Sequence, residues 1–198
     1  MAHIRPFRPG DEPALAGICL KTADAGADAT GIFADDDLWA EVFVLPYVAR
    51  HPDFAFVVET DDGRVAGYVV GAPDTRAFED WFAAEWWPRW AERWPRPDVE
   101  TTRQDGTLVY AYSRRAGAEP YGDTYPAHLH IDLLPELQGQ GWGRRLIDTL
   151  AEVLRAEGVR GLHLATGIEN TGAIAFYTRL GFTPLVSHPG VQAFGREL

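Results

Sequence analysis

The stretch Leu133-Leu134-Pro135-Glu136-Leu137-Gln138-Gly139-Gln140-Gly141-Trp142-Gly143-Arg144 spaces three glycines at 139, 141 and 143. It lies between His130 to Leu134, an apolar run that reads as a strand, and Arg144 to Ala156, a run that reads as a helix. Gln138-x-x-Gly141-x-Gly143 therefore falls on a strand-to-helix turn. Small residues there let backbone N–H groups approach a ligand, and the helix beyond turns its positive end to the same spot. Such a turn can cradle a diphosphate. Two other glycine signatures fail on spacing. The dinucleotide fingerprint, counted from Gly139, demands glycine at 144, where Arg144 stands. The Walker loop demands Gly-Lys-Ser/Thr, which the chain lacks.

A second element lies downstream, Asn170-Thr-Gly-Ala173-Ile-Ala-Phe176-Tyr177-Thr-Arg-Leu-Gly181-Phe182. Asn170 is placed to cap a short helix. Ala173, Phe176 and Tyr177 recur at helical spacing, and Gly181 ends the helix. Between the two elements lie a helix and the strand-like run 161–166.

Read together, Q/R-x-x-G-x-G/A and N-x-x-A-x-x-F-Y-x-x-x-G-F resemble the signatures of the Gcn5-related N-acetyltransferases (GNAT). The opening Ile4-Arg-Pro-Phe-Arg-Pro-Gly-Asp11 agrees as a first strand, turn and helix start. Tyr68, Asp74 to Phe78, Trp86-Trp87-Pro88 and Tyr125 to Pro135 are further similar to the acetyltransferase-like C-terminal domain of animal O-GlcNAcases and its free-standing bacterial relatives. The resemblance implies an acyl-CoA motif that the animal domains have lost; here Gln138, Gly141 and Gly143 all stand.

The resemblance implies an α/β (α+β) fold, with a mixed twisted sheet of about seven strands flanked by helices. It implies acetyl-CoA as cosubstrate and direct transfer of acetyl to a primary amine. The diphosphate would lie on Gln138, Gly139, Gln140, Gly141, Trp142, Gly143 and Arg144, with Arg145 as a further local cation. Ile131, Leu133 and Leu134 would line the pantetheine arm, with the Leu133 amide at the thioester carbonyl. Asn170, Ala173 and Phe176 would complete that side, and Tyr177 would protonate the leaving sulfur. The rival is a non-catalytic acyl-CoA-binding or regulatory domain, which could keep the cradle and lose the ionisable groups.

The chain has 198 residues, 46% of them hydrophobic, which fits one domain with a sizeable core. Its net charge of -11 disfavours a nucleic-acid partner and attracts cationic amines, whether small molecules or protein side chains. One cysteine, Cys19, permits no intrachain disulfide, and it sits beside Leu15 and Ile18 as a buried structural thiol. No apolar run spans a bilayer and no secretory signal opens the chain, so a cytoplasmic monomer or homodimer without membrane contact is expected. No metal-ligand spacing is evident.

Helical patterns fall near 11–24 and 36–50. Phe54 to Thr60 and Arg64 to Gly71 form a hairpin around Asp61-Asp62-Gly63. Leu108 to Arg114 reads as irregular or a short strand, and 182–186 and 191–197 as closing strands. Segment 74–125 is an insertion rich in tryptophan: Trp81, Trp86, Trp87, Trp90 and Trp94. Phe78 to Trp94 reads as an amphipathic helix with an awkward interior Pro88. Its aromatics either pack on the sheet or wall the acceptor site, where Glu79 and Glu85 could hold a cation.

His128, His130 and Asp132 are spaced two apart, so an unbroken strand sets all three on one face. One of them could deprotonate or orient an amine. Equally, the trio could form a structural hydrogen-bond network.

Overall fold

The structure is a computed structural model that describes residues 2–198. The first half comprises β1 (His3–Pro6), α1 (Glu12–Leu20), α2 (Asp37–Phe43), α3 (Leu45–Arg50), β2 (Ala55–Glu59) and β3 (Val65–Ala72). The second comprises α4 (Thr75–Trp81), α5 (Arg103–Ser113), β4 (Ala127–Leu133), α6 (Trp142–Ala156), β5 (Gly161–Gly167), α7 (Thr171–Arg179), β6 (Thr183–Pro184) and β7 (Val191–Glu197). The strands form one seven-stranded sheet in the order β1-β2-β3-β4-β5-β7-β6. Every neighbouring pair is antiparallel except β4 and β5.

Strand alternation sorts the core into two layers. Phe56, Val58, Val69 and Leu129 face α6, which returns Leu146, Ile147, Leu150 and Leu154 at helical spacing. Val57, Tyr68 and Val70 face the other way, onto α1 to α5. Gly71 lets α6 approach, since a Cβ there would meet Leu150 Cδ1 at 3.0 Å. Leu150 has no exposed surface, and truncation to alanine would cost about 2–5 kcal/mol.

The expected hairpin, central strand, α6, β5, α7 and closing strands are all present, with ends shifted by a few residues. Other expectations need correction. The helix expected over 36–50 breaks at Val44, because Pro46 starts a new one. Leu108 to Ser113 is the end of helix α5, neither irregular nor a strand, and Arg114 is its extended C-cap. The start of α5 carries a capping box, Thr102 with Asp105, a local signal that the sequence does hold.

Phe78 to Trp94 is not one helix. Asp74 caps α4 through the Ala77 amide at 3.0 Å. A π-helical turn follows over Phe82–Trp86, then a 3-10 turn over Trp87–Arg89 that contains Pro88. Proline there cannot extend an α-helical ladder. Trp81, Trp86, Trp87 and Trp94 are buried in the layer that holds Phe78 and Phe82. The Trp86 indole donates to the Glu41 carbonyl at 2.9 Å, and that of Trp94 to Asp35 at 2.9 Å.

Candidate active site

β4 and β5 pair only at Ala127 with Leu162 and at His128 with His163. Beyond that point the two strands part. A cavity of about 980 Å³ occupies the gap and is lined by residues from both faces of the sheet. Ile131, Asn170, Ala173 and Tyr177 line it on one side; His130, Asp132, Trp39, Phe43 and Tyr110 line it on the other.

β4 keeps an unbroken register with β3, and the Leu134 amide donates to the Ala66 carbonyl at 2.9 Å. Antiparallel ladders alternate, so the amides of Asp132 and His130 also turn toward β3. Those of Leu133 and Ile131 turn toward the gap. The Leu133 carbonyl on that edge already accepts from Gln138 Nε2 at 2.9 Å, which ties the turn to the strand end.

The turn has the geometry of an anion cradle. Gly139 and Gly141 adopt φ of +72° and +82°, conformations that favour glycine, and a Cβ on either would enter open space. Gly141 is the N-cap of α6. The amides of Trp142, Gly143 and Arg144 form the first turn, so no carbonyl of that helix reaches them. Gly143 serves a different purpose: a Cβ there would lie 2.8 Å from Phe176 Cζ, so its smallness lets α6 meet α7. Trp142 is buried, and Arg145 stacks on its ring at 4.5 Å, while Arg144 stays exposed. Gln140 is folded back onto the Glu136 carbonyl.

The three residues of the β4 alternation do share a face. His128 is saturated: its Nε2 lies 2.6 Å from the Tyr47 hydroxyl and its Nδ1 2.9 Å from Thr75 Oγ1. Burial holds its pKa well below the usual histidine value, with His163, His130 and Arg114 adding to the effect. His130 Nε2 lies 3.1 Å from the same Tyr47 hydroxyl. Burial and the Arg114 charge lower its pKa to about 3. Asp132 accepts from the Tyr68 hydroxyl, and burial raises its pKa from the ordinary aspartate value.

Tyr177 is buried among Phe176, Phe182 and Phe194, and burial together with the Asp132 charge raises its pKa. Asn170 caps α7 by accepting from the Ala173 amide at 3.0 Å, which leaves its amide nitrogen as a donor. The expected thiol, Cys19, is 2% exposed, and burial raises its pKa.

Several residues of the site escaped the sequence reading. Tyr47 and Thr75 reach His128 from distant elements, Arg114 stands behind Tyr47, and His163 lies beside His128 on the paired strand β5. Arg114 pairs with Glu79 at 2.9 Å, so Glu79 is neutralised within the cavity wall. Glu85 is exposed and does not line the cavity. Nor do the five tryptophans: the insertion reaches the cavity through Thr75, Glu79, Tyr110, Arg114 and Glu119 instead. Among the described residues, no cluster of three or more His, Cys, Asp or Glu could hold a metal ion, and no helix is long and apolar enough to cross a membrane.

Comparison with known proteins places this geometry. The model of the acetyltransferase (GNAT) family matches residues 25–182. The solved structure of SsHAT superposes with a TM-score of 0.94 at 38% identity, covering 99% of this chain and 98% of that one. The Rattus norvegicus protein O-GlcNAcase is 24% identical over 202 residues, 98% of this chain but 22% of that protein. A mycothiol acetyltransferase of Streptomyces griseus is 28% identical over 174 residues, 87% of this chain and 45% of its own. The chain thus spans about a fifth of the O-GlcNAcase length.

Proposed function

The chain belongs to the acetyltransferase (GNAT) family, and from that membership we propose that it carries acetyl from acetyl-CoA directly to a cationic primary amine. One observation supports the reading: the gap between β4 and β5 brings Tyr177 and Asp132 to one cavity, and we assign the first as the sulfur-side acid and the second as the amine-side base. The residues fit the cofactor. Open space beyond Gly139 and Gly141 and the first amides of α6 suit a diphosphate. The free edge of Ile131 and Leu133 suits an extended, amide-bearing arm.

When bound, acetyl-CoA supplies a thioester whose carbonyl carbon accepts an amine and whose sulfur leaves as thiolate. The Leu133 amide, turned into the gap, is placed to stabilise negative charge on a carbonyl oxygen. Asp132 removes the proton from the ammonium form of the acceptor. It suits this better than the histidines, because burial has moved its proton affinity toward neutrality while theirs has moved away. The Tyr177 hydroxyl, kept protonated by its raised pKa, holds the proton that a thiolate needs. Asn170 Nδ2 offers a donor to the arm.

Five carboxylates line the cavity (Asp24, Glu79, Glu119, Asp132, Glu169) against two arginines. Both arginines are already paired, Arg103 with Asp24 at 2.7 Å and Arg114 with Glu79 at 2.9 Å. The surplus negative charge favours a cationic acceptor and disfavours an anionic one. A panel of cationic, neutral and anionic amines, incubated with acetyl-CoA and read by mass spectrometry, tests this. Acetylation confined to cationic amines is expected; acetylation only of anionic amines would refute the assignment.

A further inference from the structure

Tyr47 stands at the centre of a buried hydrogen-bond cluster with three polar side chains around one oxygen. Its hydroxyl lies 2.6 Å from His128 Nε2, 3.1 Å from His130 Nε2 and 3.3 Å from an Arg114 nitrogen. A tyrosine hydroxyl has one hydrogen to give, so the three contacts cannot all be donations from it. Proton accounting fixes each of them.

The starting point is Thr75. Its hydroxyl oxygen lies 2.7 Å from the Pro126 carbonyl, an oxygen that can only accept. The Thr75 hydrogen is therefore committed there. His128 Nδ1, 2.9 Å from the same Thr75 oxygen, must then be the donor of that contact. A neutral His128 with hydrogen on Nδ1 has a lone pair on Nε2, so Tyr47 donates to it. Arg114 has no acceptor and must donate to the Tyr47 oxygen. With the Tyr47 hydrogen spent on His128, the remaining contact is a donation from His130 Nε2–H. The opposite arrangement would require a His128 cation, buried at 7% exposure within a network that already holds the Arg114 charge.

We propose that Tyr47 is a positioning residue that locks His130 as its Nε2–H tautomer, so that the Nδ1 lone pair is offered to an N–H of the acceptor amine. This rests on the acetyltransferase reading for the identity of the acceptor, though not for the tautomers. His130 is half-buried, lines the cavity, and its Nδ1 bonds to no described residue. A permanently neutral ring with a fixed acceptor can orient an amine without competing with Asp132 for its proton. Arg114 is itself held by Glu79 at 2.9 Å and by the Val42 carbonyl at 2.8 Å, so the donor behind Tyr47 cannot swing away.

Histidine ring tautomers can be read by long-range proton–nitrogen correlation on ¹⁵N-labelled protein at neutral pH, without any substrate. The wild type should show His130 wholly as Nε2–H and His128 wholly as Nδ1–H. In Tyr47→Phe, His130 should populate both forms, and turnover should fall about tenfold, the worth of one lost orienting hydrogen bond, with acetyl-CoA affinity unchanged. Thr75→Val gives a second probe: His128 should lose its Nδ1–H form. His130 found as Nδ1–H in the wild type would overturn the lock, whether or not either variant folds. So would a Tyr47→Phe protein with unchanged tautomers and unchanged turnover. Tautomers as stated in a wild type that acetylates no amine would support the lock and refute the acetyltransferase reading instead.

Discussion

Gly141 and Gly143 stand two residues apart at the start of α6, and replacing each should fail in a different way. Gly141 has φ +82° and open space where a Cβ would go. Alanine there meets no protein atom, and its cost is the left-handed backbone, about 1–2 kcal/mol. For a chain of this size that lowers Tm by about 2–8 °C. The added methyl projects into the space assigned to the diphosphate, and valine more so, so affinity for CoA should drop at least tenfold in Gly141→Val. Gly143 has an ordinary φ, but its Cβ would meet Phe176 at 2.8 and 3.2 Å. Overpacking of that kind costs about 1–3 kcal/mol, and α6 must shift from α7 to relieve it. Differential scanning calorimetry and isothermal titration with CoA separate the two. Unchanged CoA affinity in a folded Gly141→Val protein would refute the cradle.

Tyr177→Phe keeps the ring packing with Phe182 and Phe194 and removes the hydroxyl; kcat should fall by about 10²-fold or more while CoA affinity holds, and full turnover would remove Tyr177 as the acid. Trp87→Ala should cost about 3–5 kcal/mol in urea unfolding, yet leave the acceptor KM unchanged, because Trp87 is 4% exposed and does not line the cavity; a raised KM with little stability loss would reverse that placement. Stability should also decline in acid. His128, His130 and His163 have folded pKa values below the ordinary 6.5, the last two at about 3 and about 4. The unfolded chain thus binds protons that the folded one refuses, and stability present above pH 6.5 is lost as pH falls toward 4. With all three refusing, they contribute a slope of about 4 kcal/mol per pH unit, offset in part by Glu41, whose carboxyl burial pushes up to about 7 so that it gains a proton on folding over the same range; unfolding free energies that stay flat from pH 7 to 5 would contradict this burial.

What the sequence disclosed was local. Glycine spacing located the cradle, Asn170 and Gly181 bounded α7, and the two-residue spacing of His128, His130 and Asp132 gave their common face. What it hid was distant. Tyr47 meets His128 across 81 positions and Arg114 meets Glu79 across 35, and no periodicity encodes either contact. The tryptophans misled because composition cannot tell a ligand wall from a second core layer; the π turn and Pro88 direct them inward. Gly143 belonged to the motif for a packing reason that spacing alone could not separate from Gly141.

Whether one cavity joins a thioester to an amine is read from the initial rate of thiol release from acetyl-CoA with and without a saturating cationic amine, in wild type and Asp132→Asn. Saturable, amine-dependent release is expected from the wild type, stoichiometric with acetylated amine, falling as pH drops through the raised pKa of Asp132 and largely lost in the variant. Acetyl-CoA binding with release that no amine accelerates would contradict the acetyltransferase reading and leave a binding domain in its place.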